Sequence, residues 1–152
     1  MMIPDYFLLK ELTFSDTATR LGIDNTPTDN SLKNLQKVIQ FILEPVINYF
    51  DKPIKITSGY RSAEVCLAVG STIKSQHAQG QAVDFEILGI PNKVTSEWIV
   101  NNLDYDQCIL EFHNPTEYNS GWIHCSYNED NNRKQYLKSY KQHGFTVYEP
   151  IK

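Results

Sequence analysis

Imidazole and carboxylate side chains recur here in a pattern suited to a metal ion. His77 precedes Asp84 in Ser75-Gln76-His77-Ala78-Gln79-Gly80-Gln81-Ala82-Val83-Asp84-Phe85, and His124 follows in Gly121-Trp122-Ile123-His124. Imidazole nitrogen and carboxylate oxygen suit zinc, and three protein ligands with a fourth position open make a catalytic rather than a structural site. Gly80 lets the backbone turn tightly between His77 and Asp84, so their side chains can converge. His124 can join them from a neighbouring strand if it shares the face of Asp84. Spacing alone leaves a second interpretation open, a surface histidine beside an unrelated solvated aspartate.

The elements that would position these residues follow from periodicity. Val83, Phe85 and Ile87 alternate with Ala82, Asp84 and Glu86, which predicts a strand with Asp84 on its polar face. Trp122–Tyr127 predicts another, with Trp122, His124 and Ser126 on one face and Ile123, Cys125 and Tyr127 on the other. Strands are also expected at Ile54–Thr57, running into Ser58-Gly59, at Gln107–Phe112 and at Phe145–Tyr148. Leu32, Leu35, Val38, Ile39, Ile42, Val46 and Tyr49–Phe50 mark the main core helix, with Ser31 as its N-cap and a kink or break near Leu43–Glu44 imposed by Pro45. Residues 1–30 read as a polar lead-in packed on the core, in which Ser15-Asp16-Thr17 caps a short helix that Gly22 ends. Further helices are expected from Ser62 to a stop at Gly70, over Lys93–Leu103, and over about Asp130–Gln142. Helices and strands mix without a regular βαβα alternation, so the fold class is α+β, a small, mainly antiparallel sheet packed with helices in a single domain over 1–152.

Composition narrows the partners. The chain has 152 residues, 41% of them hydrophobic, which is globular rather than disordered composition. Lys and Arg number 14 against 18 Asp and Glu, a net charge of −4 that argues against nucleic acid as a partner. The longest apolar stretch, Val38–Phe50, is interrupted by Gln40, Glu44, Pro45 and Asn48, so no membrane span is expected. The N-terminus lacks the basic and apolar regions of a secretory signal, so synthesis in the cytoplasm is expected. Cys66, Cys108 and Cys125 are scattered and odd in number, unlike a disulfide framework, and read as reduced, packed thiols.

The motif Ser75-x-His77-x-x-Gly80-x-Ala82-x-Asp84-Phe85 resembles the zinc-site signature of the zinc D-alanyl-D-alanine peptidases, which share the Hedgehog/DD-peptidase fold. Thr57-Ser58-Gly59-Tyr60-Arg61-Ser62 is similar to the segment those enzymes place upstream of the motif, and Gly121-Trp122-Ile123-His124 to their final ligand strand. The lead-in from Asp16 to Pro27, the helix segment Leu43-Glu44-Pro45-Val46, and Asn132-Arg133 are similar to the short single-domain subgroup of phages and bacteria. The likeness runs from about residue 5 to about residue 150. It implies that His77, Asp84 and His124 bind one zinc ion and that the substrate is a peptidoglycan peptide. The implied activity is D-Ala-D-Ala carboxypeptidase or endopeptidase cleavage of the endolysin kind. A monomer acting on the cell wall, phage-encoded or carried on a virion, is expected.

Peptide hydrolysis also needs a general base, and later an acid for the leaving amine. Many relatives place a glutamate three residues before the last histidine, where this chain has Gly121. Glu111, in Ile109-Leu110-Glu111-Phe112, is the candidate base, a carboxylate on an adjacent strand in a pocket apolar enough to raise its pKa. Its alternative is a strand-end ion pair. His113 is the second candidate, otherwise a loop histidine. Arg61 is the candidate clamp for a substrate carboxylate, since guanidinium binds carboxylate bidentately; its alternative is to hold the turn after Tyr60. Ser75 is either a hydrogen-bonding group for substrate or ligand, or a loop cap. Trp122 lines the groove or fills the core, Cys125 belongs to the core, and His143 caps a helix C-terminus. The competing function is a non-catalytic, zinc-stabilised binding or virion structural module that kept the ligands and lost the base, as the departure at Gly121 permits.

Overall fold

The computed structural model describes residues 5–117 and 119–152; residues 1–4 of the expected lead-in lie outside them, and residues 5–28 hold two short helices laid on the core. α1 (Asp5–Thr13) buries Leu8 and Leu12, one turn apart. The sequence signals none of its start, because Tyr6 and Phe7 stand exposed and blur the apolar stripe. α2 (Asp16–Leu21) begins where Ser15 Oγ accepts the Ala18 N–H and ends at Gly22 in the left-handed region, as expected.

α3 (Asp29–Val38) runs through a π-helical stretch, Ile39–Leu43, into α4 (Glu44–Phe50). The cap is Thr28 rather than Ser31: Thr28 Oγ1 accepts the Ser31 N–H at 3.1 Å, and Ser31 is buried inside the first turn. The break expected from Pro45 takes the form of the π stretch, in which the Glu44 N–H reaches back five residues to the Ile39 carbonyl just before the proline. Leu35, Val38, Ile39, Ile42, Leu43, Val46 and Ile47 make its core face.

Beyond it come β1 (Ile54–Ser58), α5 (Ala63–Ala68), β2 (Ala82–Ile87), α6 (Asn92–Asn102), β3 (Gln107–Glu111), β4 (Trp122–Ser126), β5 (Gln135–Gln142) and β6 (Phe145–Pro150). The strands form one sheet in the order β1-β2-β4-β3-β5-β6, antiparallel throughout except for β3 against β5. The class is mixed α+β. Val83, Phe85, Ile87, Cys108, Ile123 and Cys125 face the helices and close the core. Among the described residues no helix is long and apolar enough to cross a membrane.

One expected element is overturned. Asp130–Gln142 is not a helix: residues 128–134 are loop, and β5 follows. Tyr136, Leu137 and Tyr140 imitate a helical stripe among helix-forming Lys and Gln, but β5 is partly covered on both faces, so it shows no clean alternation. His143 correspondingly ends no helix. With Gly144 it forms a two-residue hairpin turn, both at positive φ (52° and 83°), between the register partners Gln142 and Phe145.

Candidate metal centre and active-site cleft

Register brings the candidate ligands together. Asp84 pairs with His124 across β2 and β4, so both side chains leave the face opposite the core, and the His124 Nδ1 to Asp84 Oδ1 distance is 3.0 Å. His77 comes from the loop before β2, with Nε2 3.4 Å from the same Oδ1. One ligand atom from each of the three lies within 4.8 Å of the others.

The loop is held from several sides. At Gly80, φ is 73° and a Cβ would overlap the Ser31 carbonyl oxygen, so only glycine lets the loop pass against α3. Asn34 Nδ2 donates to the Gln79 carbonyl at 2.8 Å, and Ser75 Oγ accepts the His77 N–H at 3.2 Å, which gives Ser75 the loop-capping role. The Arg61 N–H donates to the His77 carbonyl.

The donor set fits a cation. His77 Nδ1 lies 2.7 Å from the Gly59 carbonyl, which can only accept, so Nδ1 carries the proton and Nε2 turns a lone pair toward Asp84. Burial pulls the His77 imidazole below its ordinary value, although Asp84 opposes this. Burial alone would push the Asp84 carboxyl up, but the imidazoles beside it hold it well below the usual carboxylate range. Nε2 of His77, Asp84 and His124 thus crowd one point in a site where the three side chains are no more than 13% exposed. Shielded imidazole nitrogens around a carboxylate need a positive charge among them, a proton or a metal ion.

Around the triad opens a cleft of about 810 Å³, lined among others by Arg61, Glu111, Trp122, Leu137 and Tyr148. Glu111, at the end of β3, is buried and accepts a short hydrogen bond from Ser139 Oγ. Burial pushes its carboxyl up; Ser139 and His124 partly offset this, and Asp84 adds to the rise. Arg61 lines the cleft, and its Nε is buried without a hydrogen-bond partner among the described residues.

A sequence model of the peptidase M15 family matches residues 5–126, the stretch from α1 to β4 that carries His77, Asp84, His124, Arg61 and Glu111. The chain belongs to the peptidase M15 family. No curated protein matches it.

In this M15 peptidase the position three residues before His124 is closed to any side chain. Gly121 has φ 70°, and a Cβ there would overlap the Glu111 carbonyl oxygen. The backbone of β3 presses on that point while the side chain of the same Glu111 enters the cleft. His113 lies elsewhere: half-buried, with Nδ1 3.3 Å from the Ser120 carbonyl, it lines a separate hollow with Pro91, Val94, Leu110 and Pro115. Trp122 lines the cleft and packs its ring on Phe112 at 5.3 Å between centroids, whereas Cys125 is buried on the core face opposite Cys108.

Two supports of the M15 site were not read from its sequence. Asn25 donates to the Thr13 and Tyr60 carbonyls and accepts the Ser62 N–H, tying the lead-in to the loop that bears Arg61. Asp106, only 1% exposed, is gripped by Arg133 through Nε and Nη2, both at 2.8 Å, and by Gln76 Nε2 at 2.7 Å, next to His77. The Asn132-Arg133 pair was noticed by resemblance, but nothing in one sequence names its partner. Ser139 and Tyr148 were missed because the segment holding Ser139 reads as a helix.

Proposed function

We propose that the protein is a zinc metallopeptidase that hydrolyses a peptide bond in peptidoglycan stem peptides or cross-links. The observation that carries this reading is the shielded His77–Asp84–His124 cluster sharing one cleft with Glu111, inside the stretch matched by a peptidase family. Zinc bound by the three side chains would supply Lewis-acid polarisation of the scissile carbonyl and activation of water at neutral pH.

Glu111 is the general base. It takes a proton from the attacking water and passes it to the leaving amine, a task that suits a carboxyl whose pKa burial raises. Arg61, which lines the same cleft, binds a carboxylate of the stem peptide through its guanidinium and so orients the bond. We read the fold as Hedgehog/DD-peptidase-like and the biological role as wall degradation of the endolysin kind, whether the chain is released at lysis or carried on a particle.

The test is mass spectrometry of fragments released from purified peptidoglycan by the zinc-loaded protein, beside a chelator-treated sample. Stem-peptide fragments released only without chelator are expected, and their new termini identify the bond. No release from several peptidoglycan chemistries, despite stoichiometric zinc, would replace this reading with a zinc-stabilised binding or virion structural module.

A further inference from the structure

β5 and β6 lie beyond the stretch matched by the family, yet they complete one wall of the cleft. Across β4, β3, β5 and β6, register aligns Trp122, Glu111, Ser139 and Tyr148 in a single row. Tyr148 lines the same cleft as His77, Asp84 and His124, and its side of the sheet is the one from which the ligands project.

The tyrosines of this hairpin differ in what their hydroxyls do. Tyr136 shares a 2.7 Å hydrogen bond with Ser96 Oγ, and Tyr140 donates to Glu149 Oε1 at 2.6 Å. The hydroxyl of Tyr148 has no hydrogen-bond partner among the described residues, and the residue is 53% exposed. A free hydroxyl on a cleft wall, one strand from the serine that holds Glu111, is placed to meet a bound peptide. Burial, then the charges of Glu111 and Asp84, push the phenol above its ordinary value. At neutral pH it is therefore a donor that keeps its proton, suited to stabilising developing charge and unsuited to protonating an amine.

We propose that Tyr148 is a catalytic residue, whose hydroxyl donates a hydrogen bond to the scissile carbonyl oxygen of the substrate as negative charge builds there. This rests on the peptidase reading above. The division of labour is then complete: Glu111 moves the proton, Arg61 holds a substrate carboxylate, and Tyr148 steadies the carbonyl oxygen from the hairpin.

The experiment compares wild type and Tyr148→Phe on a soluble stem peptide, with zinc content and melting temperature confirming an intact fold. Tyr148→Phe should lower kcat by about 10²-fold and leave KM within about twofold, the pattern of an interaction made in the transition state. A second readout is binding. The variant should lose affinity for a phosphinic peptide analogue that mimics the tetrahedral species, while Glu111→Gln with and without Tyr148→Phe binds the intact peptide equally. Full kcat in Tyr148→Phe, or a raised KM at unchanged kcat, would overturn the assignment while the peptidase reading stands. A wild type inert in every assay would overturn the peptidase reading, and the role of Tyr148 with it.

Discussion

Glu111 sits under opposed influences, burial and Asp84 raising its pKa while the Ser139 hydroxyl and His124 lower it. Glu111→Gln should reduce kcat by about 10²–10⁴-fold, the usual worth of a positioned proton acceptor, with metal content by mass analysis unchanged. Removing the Ser139 donor removes one of the contributions that favour the ionised form, so the Glu111 pKa rises further. A general base works only when ionised; with Glu111 in the role proposed for it, the acid limb of kcat/KM should move to higher pH in Ser139→Ala and stay in place in Ser139→Thr, as a pH–rate profile would show. At this scale the triad was legible, because strand alternation put Asp84 and His124 on polar faces and a glycine marked the turn between His77 and Asp84. Gly121 was legible only as a departure. Its reason, the carbonyl of Glu111 against the space a side chain would need, exists only once β3 and β4 are paired.

The loops around the site owe their shape to buried polar anchors that fix one element to another. Asp106 is the clearest: burial pushes its carboxyl up, but the hydrogen bonds of Arg133 and Gln76 hold it below its ordinary value. A carboxyl depressed in the folded state adds stability above its unfolded pKa, near ~3.9, and loses it as pH falls through the folded value. Denaturant melts should accordingly show wild-type stability declining from about pH 4 downward. Asp106→Asn should cost about 1–3 kcal/mol at pH 7, since an amide cannot accept from every donor there, and should flatten the acid decline. The sequence pattern of an element is legible where local chemistry decides, as at the Ser15 cap, the Gly22 stop and the alternation of β2 and β4. That pattern misleads at β5, whose strand character comes from pairing in parallel with β3 and through a His143–Gly144 turn with β6. Neither partner is visible in the local pattern of Gln135–Gln142.

On the scale of the whole molecule, His77, Asp84 and His124 belong to a loop and two strands that meet only in the folded chain, so a metal held by them would link its affinity to folding. Metal at about 1,000 times its dissociation constant adds about 4.1 kcal/mol to the folded state. For a domain near this size that corresponds to about 10 °C in melting temperature. Calorimetry should show a chelator-dependent drop of that order in wild type and none in His77→Ala. Magnesium replacing zinc in the buffer should not restore it, because imidazole nitrogen is a poor ligand for so hard an ion.

All three cysteines are fully buried, but they are sealed by different parts of the fold. Cys108 and Cys125 face each other from the central strands, whereas Cys66 sits on α5, a six-residue helix beside the cleft, with its Sγ 3.4 Å from the Arg61 carbonyl. A thiol-directed dye can therefore reach Cys66 when α5 alone lifts away, but it reaches the strand pair only when the sheet comes apart. Labelling should proceed as a fast single event followed by a slow double one. The fast phase then times the breathing of the wall that carries Arg61, and a peptide seated in the cleft should slow that phase while leaving the later one untouched.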